Sequence, residues 1–307
     1  MHRRRILGES IRGQSVSTPQ RMEFARPALG KKPVMKFTPI VTGSVSLKRT
    51  FLHPPPGVRG RIKLLLPDTW ESPVPLGGWL IEHQNRRILV DTGETAQVKN
   101  LPFSRYHVTA TQELPHALAA VGLTTDDIDD AVITHLHSDH VDGATHLRCA
   151  VKVHRVEWDF VHTRLGRIIQ RLSRAELPPN ITYDVIDLND GPFGAFAASK
   201  ALTDDKRIIA VATPGHTPGH IAVIAIDDYG NHVLFAGDAT DSLEQLNARR
   251  PDAIGRDPKL TVETIDRIHA HGRLHPTVFI PAHDPQSPKR LAARTTLSPV
   301  EVESENC

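Results

Sequence analysis

The stretch that decides the reading is Asp130-Ala-Val-Ile-Thr134, followed without a break by His135-Leu-His137-Ser-Asp139-His140. The first five residues read as a short buried strand. The next six place three imidazoles and a carboxylate at its C-terminal end. Alternate positions His135 and His137 point to one side of an extended turn. Asp139 and His140 are then left to reach a second centre about one metal–metal distance away, ~3.5–4 Å. Nitrogen and oxygen donors suit Zn2+, Mn2+, Fe2+ or Co2+. An isolated histidine is more often a core or surface residue, but four metal-competent side chains in six positions are not explained that way.

Three later segments repeat the design of a strand that ends in a candidate ligand. Ile208–Ala212 leads into Thr213-Pro-Gly-His216-Thr-Pro-Gly-His220, Val233–Ala236 into Gly237-Asp238, and Thr277–Ile280 into Pro281-Ala-His283-Asp284. Glycine and proline fix such turns and let backbone approach a site closely. Ligands carried on strand ends from distant parts of a chain can converge on one edge of a sheet.

Around these segments the spacing predicts mixed α/β structure. Strands are expected at Val41–Leu47, Ile62–Leu66, Gly78–Glu82, Arg87–Asp91 and Ile221–Ile226, with Gly78–Glu82 and Arg87–Asp91 paired as a hairpin. Helices are expected over 111–121, ending at Gly122, over Arg155–Ser173 as one long element, and over Leu260–His271. In the long helix Val156, Phe160, Ile168 and Leu172 share a face, which predicts a buried side.

Composition bounds the answer further. The chain has 307 residues, 39% hydrophobic and 23% charged, which supports a packed core. No run reaches the ~18–20 apolar residues of a membrane span, so no membrane partner is expected. Two cysteines, Cys149 and Cys307, rule out a disulfide framework and a thiolate-rich zinc site. A reducing, cytoplasmic setting follows, or a mitochondrial one if the source is eukaryotic, because the start is Arg-rich and acid-poor. Cys149 reads as a small buried apolar residue. Histidine is abundant, 18 residues, which is why ligand spacing is worth searching. Net charge is +2, yet residues 1–63 carry 14 Lys/Arg against 2 Asp/Glu and the remainder 23 against 33. This divides the chain into a basic arm at 1–34, a domain at 35–292 and a polar tail at 293–307. The arm is read as a solvated extension or a dimer clasp. Aromatic residues are scarce in it and the body is acidic, so nucleic acid is not the expected partner.

Taken in order, Leu89-Val-Asp91-Thr-Gly93, the His-x-His-x-Asp-His run at 135–140, Thr-Pro-Gly-His216-Thr-Pro-Gly-His220, Gly237-Asp238 and Pro-Ala-His283 closely resemble the metallo-β-lactamase superfamily over roughly residues 36–290. The resemblance implies an αββα sandwich, two mixed sheets flanked by helices, with a site for two divalent metal ions per chain, zinc first among them. It assigns His135, His137 and His216 to one ion and Asp139, His140 and His283 to the other, with Asp238 bridging. A metal-bridging hydroxide would be the nucleophile, and Asp139 would both ligate and move a proton. Asp91 and His220 either orient ligating imidazoles or simply close a turn and open a strand. Asp284 reads as a turn or cap residue. Phe103, Tyr106 and Trp158 either line an acyl pocket or pack in the core.

Within that superfamily the chain is most similar to the N-acyl-homoserine lactonase branch, the quorum-quenching enzymes. The shared features are the inserted helix near 155–173, Gly-Asp-Ala at 237–239 and no second catalytic domain. The expected substrate is a small-molecule lactone or other carboxylic ester, and the expected assembly, by analogy, a homodimer. Asp238 in place of cysteine separates it from true β-lactamases, and His137 in place of glutamate from the oxygen-reducing di-iron branch. Glyoxalase II-like thioesterases share the Thr-Pro-Gly-His motif, and that activity or phosphodiester hydrolysis is the alternative on the same centre. A non-catalytic binding protein is disfavoured by the full ligand set. One departure stands out. Lactonases carry a tyrosine three residues after the bridging aspartate, and here the position is Asp241, either a substrate-contacting carboxyl or the cap of a helix beginning near Ser242.

Deleting residues 1–34 is expected to leave metal content and turnover per folded chain intact, because no candidate ligand lies there. Elemental analysis of the truncated protein checks this, and loss of metal on truncation would make the arm part of the core.

Overall fold

The computed structural model describes residues 34–55, 62–173 and 176–297. The basic arm lies outside these residues apart from Val34, and so does the tail beyond Leu297.

Two sheets face each other. The first has seven strands in the order β4-β1-β2-β3-β5-β6-β7. Its members are β1 (Lys36–Leu47), β2 (Val74–His83), β3 (Arg86–Val90), β4 (Ser104–His107), β5 (Asp130–Val132), β6 (Val151–His154) and β7 (Tyr183–Ile186). The expected hairpin is β2–β3, antiparallel from Trp79↔Val90 to His83↔Arg86. From β3 onward the pairing is parallel. The second sheet runs β12-β11-β10-β9-β8, with β8 (Ser199–Ala201), β9 (Ile208–Ala212), β10 (Ile221–Ile226), β11 (His232–Gly237) and β12 (Thr277–Pro281). Only β11–β12 is parallel there.

The helices are α1 (Arg49–Leu52), α2 (Leu114–Ala119), α3 (Ser138–Val141), α4 (Arg155–His162), α5 (Arg164–Ser173), α6 (Leu243–Asn247), α7 (Pro258–Leu274) and α8 (Ser287–Ala292). α2 and α7 cover the outer faces. Strands buried on both faces read as unbroken apolar runs, and side-chain alternation divides each run between two cores. In β10, Ile221, Val223 and Ala225 join Ile81, Ile88 and Val90 between the sheets. Ala222 and Ile224 face outward against Ile265 and Ile268 of α7. On the far side, Leu80 and Leu89 pack on Leu114 and Leu118 of α2. The order helix, sheet, sheet, helix is the expected αββα sandwich.

Three local expectations are corrected. Ile62–Leu66 is not a strand but a helical turn, with Leu65 N bonded to Ile62 O, and only Leu64 among its apolar residues is buried. The helix expected over Arg155–Ser173 is two, because Thr163 adopts extended backbone (ψ 162°) and its hydroxyl caps the next helix at Gly166 N. The predicted apolar face is turned outward, in α5 by that break. Val156, Ile168 and Leu172 are 47%, 56% and 76% exposed, and only Phe160 packs inward. Cys149 is half-buried against two core clusters. Beyond α8, Leu297 N bonds Thr277 O and its side chain closes the core under α7.

Candidate metal centre

Every loop that carries a sequence-predicted ligand leaves the same end of the sheets. Thr134 to His140 follow β5, Thr213 to His220 follow β9, Asp238 follows β11 and His283 follows β12. The two sheets are stitched at this end by Ile221 N donating to Thr134 O at 2.9 Å. All seven predicted residues come together, in two groups. Donor atoms of His135, His137, His216 and Asp238 lie within 4.8 Å of one another, and so do those of Asp139, His140 and His283.

Asp238 stands between the groups. Its Oδ2 is 3.5 Å from His216 Nε2 and 3.9 Å from His135 Nε2, while Oδ1 is 3.3 Å from both His140 Nε2 and His283 Nε2. Asp139 lies at the mouth, with Oδ2 3.6 Å from His283 Nε2. His137 Nδ1 is 2.8 Å from His135 Nε2 and 3.0 Å from His216 Nε2.

The opposite ring nitrogens are already engaged. His140 Nδ1 meets Asp91 Oδ2 at 2.9 Å, His216 Nδ1 meets Asp252 Oδ2 at 2.7 Å and His283 Nδ1 meets Pro75 O at 3.0 Å. These contacts fix the tautomers so that each Nε2 turns a lone pair inward. Lone pairs facing one another at hydrogen-bond distance need a cation between them. His140 Nε2 and Asp238 Oδ1 are buried without a hydrogen-bond partner, the condition a bound ion relieves. The donor set therefore fits two divalent ions.

The electrostatics agree. Burial and the neighbouring imidazoles hold His135 well below its usual pKa, and burial with His216 takes His137 to about 4. Burial also opposes charge on His216 and His283. There the carboxylates win, Asp252 and Asp238 for the first and Asp238 for the second, raising each to about 9. The field at this point favours positive charge, which a metal ion supplies while displacing the protons.

Supporting residues explain why the loops sit still. Asp91 follows β3 at φ 58°, a left-handed conformation that Asp tolerates better than most residues. Its carboxylate accepts from Thr134 N and Thr134 Oγ1 and holds His140. His220 accepts the Asp238 N–H at Nε2 and so donates from Nδ1 to Thr213 Oγ1. Both residues thus orient the cluster. Two supports had no signal in the spacing. Asp252 sits in an irregular loop 36 residues after His216, which it grips. Glu157, in the first turn of α4, is buried and accepts from Leu136 N at 3.1 Å and Gly219 N at 3.0 Å, tying both ligand loops to one carboxyl group.

A pocket opens above the centre, walled by Val45, Leu47, Phe51, Phe103, Tyr106 and Ile254 and floored by Asp139, Asp238 and Asp241. Tyr106 and Phe103 line it. Trp158 does not; it packs on Tyr183 of β7 and on His162 of its own helix. Burial first, then the Asp139 carboxylate, pushes the Tyr106 phenol up, so it stays protonated. Asp241 is buried, with Oδ2 unpartnered, and burial followed by Asp238 raises it to about 7. It does not cap α6: Ser242 does, through its hydroxyl to Gln245 N. Asp284 holds the turn into α8, accepting from Gln286 N and Arg290.

Two sheets of this topology with a paired His/Asp cluster at their strand ends define a metallohydrolase architecture, and the comparisons agree. The metallo-beta-lactamase superfamily model matches residues 78–283, and the chain belongs to that superfamily. It is a hydrolase similar to N-acyl homoserine lactonases. The lactonase of Bacillus thuringiensis is 25% identical over 227 residues, covering 70% of this chain and 84% of that protein. The lactonase AttM of Rhizobium radiobacter is 21% identical over 235 residues, with 71% and 84% covered. Among solved structures, an N-acyl homoserine lactone hydrolase with the product N-hexanoyl-L-homoserine at its catalytic metal centre superposes with a TM-score of 0.64 at 22% identity, covering 83% of this chain and 95% of that one. AidC, a dizinc quorum-quenching lactonase, gives 0.58 at 16% identity, with 83% and 89% covered. No helix among the described residues is long and apolar enough to cross a membrane.

Replacing Glu157 by alanine should strand two buried N–H groups and cost about 2–4 kcal/mol of stability, with metal content falling as well. Urea denaturation and elemental analysis measure both, and an unchanged midpoint with full metal content would remove the tie.

Proposed function

We propose that the protein is a dinuclear metal-dependent hydrolase of a lactone or other carboxylic ester. The observation that carries this reading is the Asp238 carboxylate set between two groups of imidazoles beneath an apolar pocket. On this reading His135, His137 and His216 would hold one divalent ion and Asp139, His140 and His283 the other, with Asp238 set between the two groups. Zn2+ is the first choice, since the donors are imidazole and carboxylate and a neighbour of the same fold is dizinc. When bound, the ions supply a water acidified toward neutral pH and a Lewis acid for the substrate carbonyl.

The chain's own residues do the remainder. Asp139, half-buried at the mouth, accepts the proton released by the attacking water and returns it to the leaving oxygen. Asp91, Asp252 and the Pro75 carbonyl keep the imidazoles aimed, so the site is organised before substrate arrives. The apolar wall from Val45 to Tyr106 excludes water and takes the acyl portion.

Alanine at His135 or His216 should abolish turnover and lower metal content. Asp238→Ala should lose one ion preferentially, and full occupancy with activity in that variant would end the bridging assignment.

Asp241 decides which ester. Above its raised pKa of about 7, Asp241 is a carboxylate that adds negative charge where an oxyanion develops, and a missing oxyanion donor typically costs ~10²–10³ in turnover. Acyl-homoserine lactones are therefore expected to be slow substrates relative to another ester or lactone, and Asp241→Tyr to speed them. A panel of lactones, aryl esters, thioesters and phosphodiesters tests this and separates ester from thioester or phosphodiester hydrolysis. Efficient lactone turnover in the wild type, unchanged by Asp241→Tyr but lowered by Tyr106→Phe, would transfer the donor role to Tyr106.

A further inference from the structure

At the other end of β11 lies a cluster that the hydrolytic centre does not use. His232 is the first residue of β11, six positions before Asp238, and at about 3.3 Å per residue the two are some 20 Å apart. His271 occupies the last turn of α7 and His275 is its C-cap, four residues on. That interval puts both on one side of the helix end. His232 Nδ1 and His271 Nε2 are 2.9 Å apart. The His275 ring lies 4.3 Å from that of His232 and 4.9 Å from that of His271. One ring nitrogen from each of the three falls within 4.8 Å of the others.

The surroundings are built around these rings. Phe193 stacks on His232 at 5.7 Å and Phe196 lies 5.1 Å from His271. Gly194, at φ 56°, comes so near that a Cβ there would sit 2.2 Å from His271 Nδ1. His271 is fully buried and its Nδ1 has no partner, while His275 is half-buried and opens the cluster to solvent. Asp227 is the acidic group facing His232. Burial, then the neighbouring imidazoles, hold His232 at about 4 and His271 at about 3, so both are neutral at physiological pH. A single shared proton satisfies one N–H···N contact among three imidazoles. A divalent ion satisfies three lone pairs at once.

We propose that His232, His271 and His275 form a second metal site, separate from the Asp238 centre, that binds one imidazole-preferring divalent cation (Zn2+, Cu2+, Co2+ or Ni2+) with solvent completing the coordination. Closing it requires that the half-exposed His275 ring turn out of its stack on His232. The ion cross-links the end of α7 to the start of β11, beside the backbone bond from His232 N to Pro276 O at 2.8 Å that leads into β12. The proposal is independent of the substrate that the hydrolytic centre takes.

The test uses the full chain with its hydrolytic centre filled by Zn2+. The protein is titrated with Cu2+, dialysed, and read by elemental analysis and electron paramagnetic resonance. Wild type should retain one equivalent of Cu2+ without losing zinc, with splitting from imidazole nitrogens in the spectrum. H275Q, at a half-exposed helix end, should lose that equivalent while keeping its zinc and its turnover, and H232Q should lose it too. Copper that enters only by displacing zinc, or that persists with the same spectrum in both variants, overturns the proposal.

Discussion

The constraint on which the rest depends is the burial of the Asp238 carboxylate between four imidazoles. An ionised carboxyl group this deep is costly unless positive charge meets both of its oxygens. Here Oδ2 faces His135 and His216 and Oδ1 faces His140 and His283. Those four residues come from three separate segments, following β5, β9 and β12, and the carboxylate itself follows β11. The charge can be met only if both sheets end at the same place with the right register. The core between the sheets, from Ile81 and Val90 across to Val223 and Phe235, supplies that alignment. Stability of the fold and competence of the centre are therefore linked. A chain that binds its cations in the native state alone gains stability by mass action, and one that loses them keeps a buried cluster of like-charged or orphaned groups.

Around the ligands a second ring of contacts converts loop positions into fixed aim. Asp91 is the clearest case. Its backbone turns left-handed at the end of β3, which brings one carboxylate to the Thr134 backbone and the His140 ring together. Glu157 does the same from the outer layer, reaching from α4 to Leu136 and Gly219. Gly219 has no side chain because a Cβ there would sit 2.0 Å from Glu157 N. That contact gives a physical reason for a glycine that, in the sequence, is one of several in a turn.

These contacts also show what could be read from residues alone. His135 to His140 are legible because they are contiguous and follow an apolar strand. The Gly/Pro-rich turn at 213–220 is legible because its residue types announce close backbone approach. Asp252 and Glu157 are not, because each acts across the fold from a stretch whose local pattern is ordinary. The same limit explains the helices. The apolar spacing of Val156, Ile168 and Leu172 is genuine, but a periodic pattern does not reveal a break, and the extended Thr163 rotates the later residues toward solvent. Ile62–Leu66 misleads in the opposite sense, since five residues with four apolar side chains look like a strand, whereas the turn buries Leu64 alone.

The division of labour within the site has a further consequence. The groups that would perform hydrolysis stand at the ends of buried, paired strands, where a shift of a few tenths of an ångström is resisted by both sheets. The walls of the pocket are different in kind. Phe51 belongs to a four-residue helix, Phe103 and Tyr106 to a short edge strand and its turn, and Ile254 to an irregular loop. Asp241 lies in the turn between β11 and α6, three residues beyond Asp238. Substitutions in these segments alter the shape and charge presented to a substrate at little cost to the ligand frame. An aspartate can thus stand at position 241 while all seven candidate ligand positions stay assembled: the frame of the centre is determined by the sheets, and on the proposed reading the choice of ester by what is hung around it.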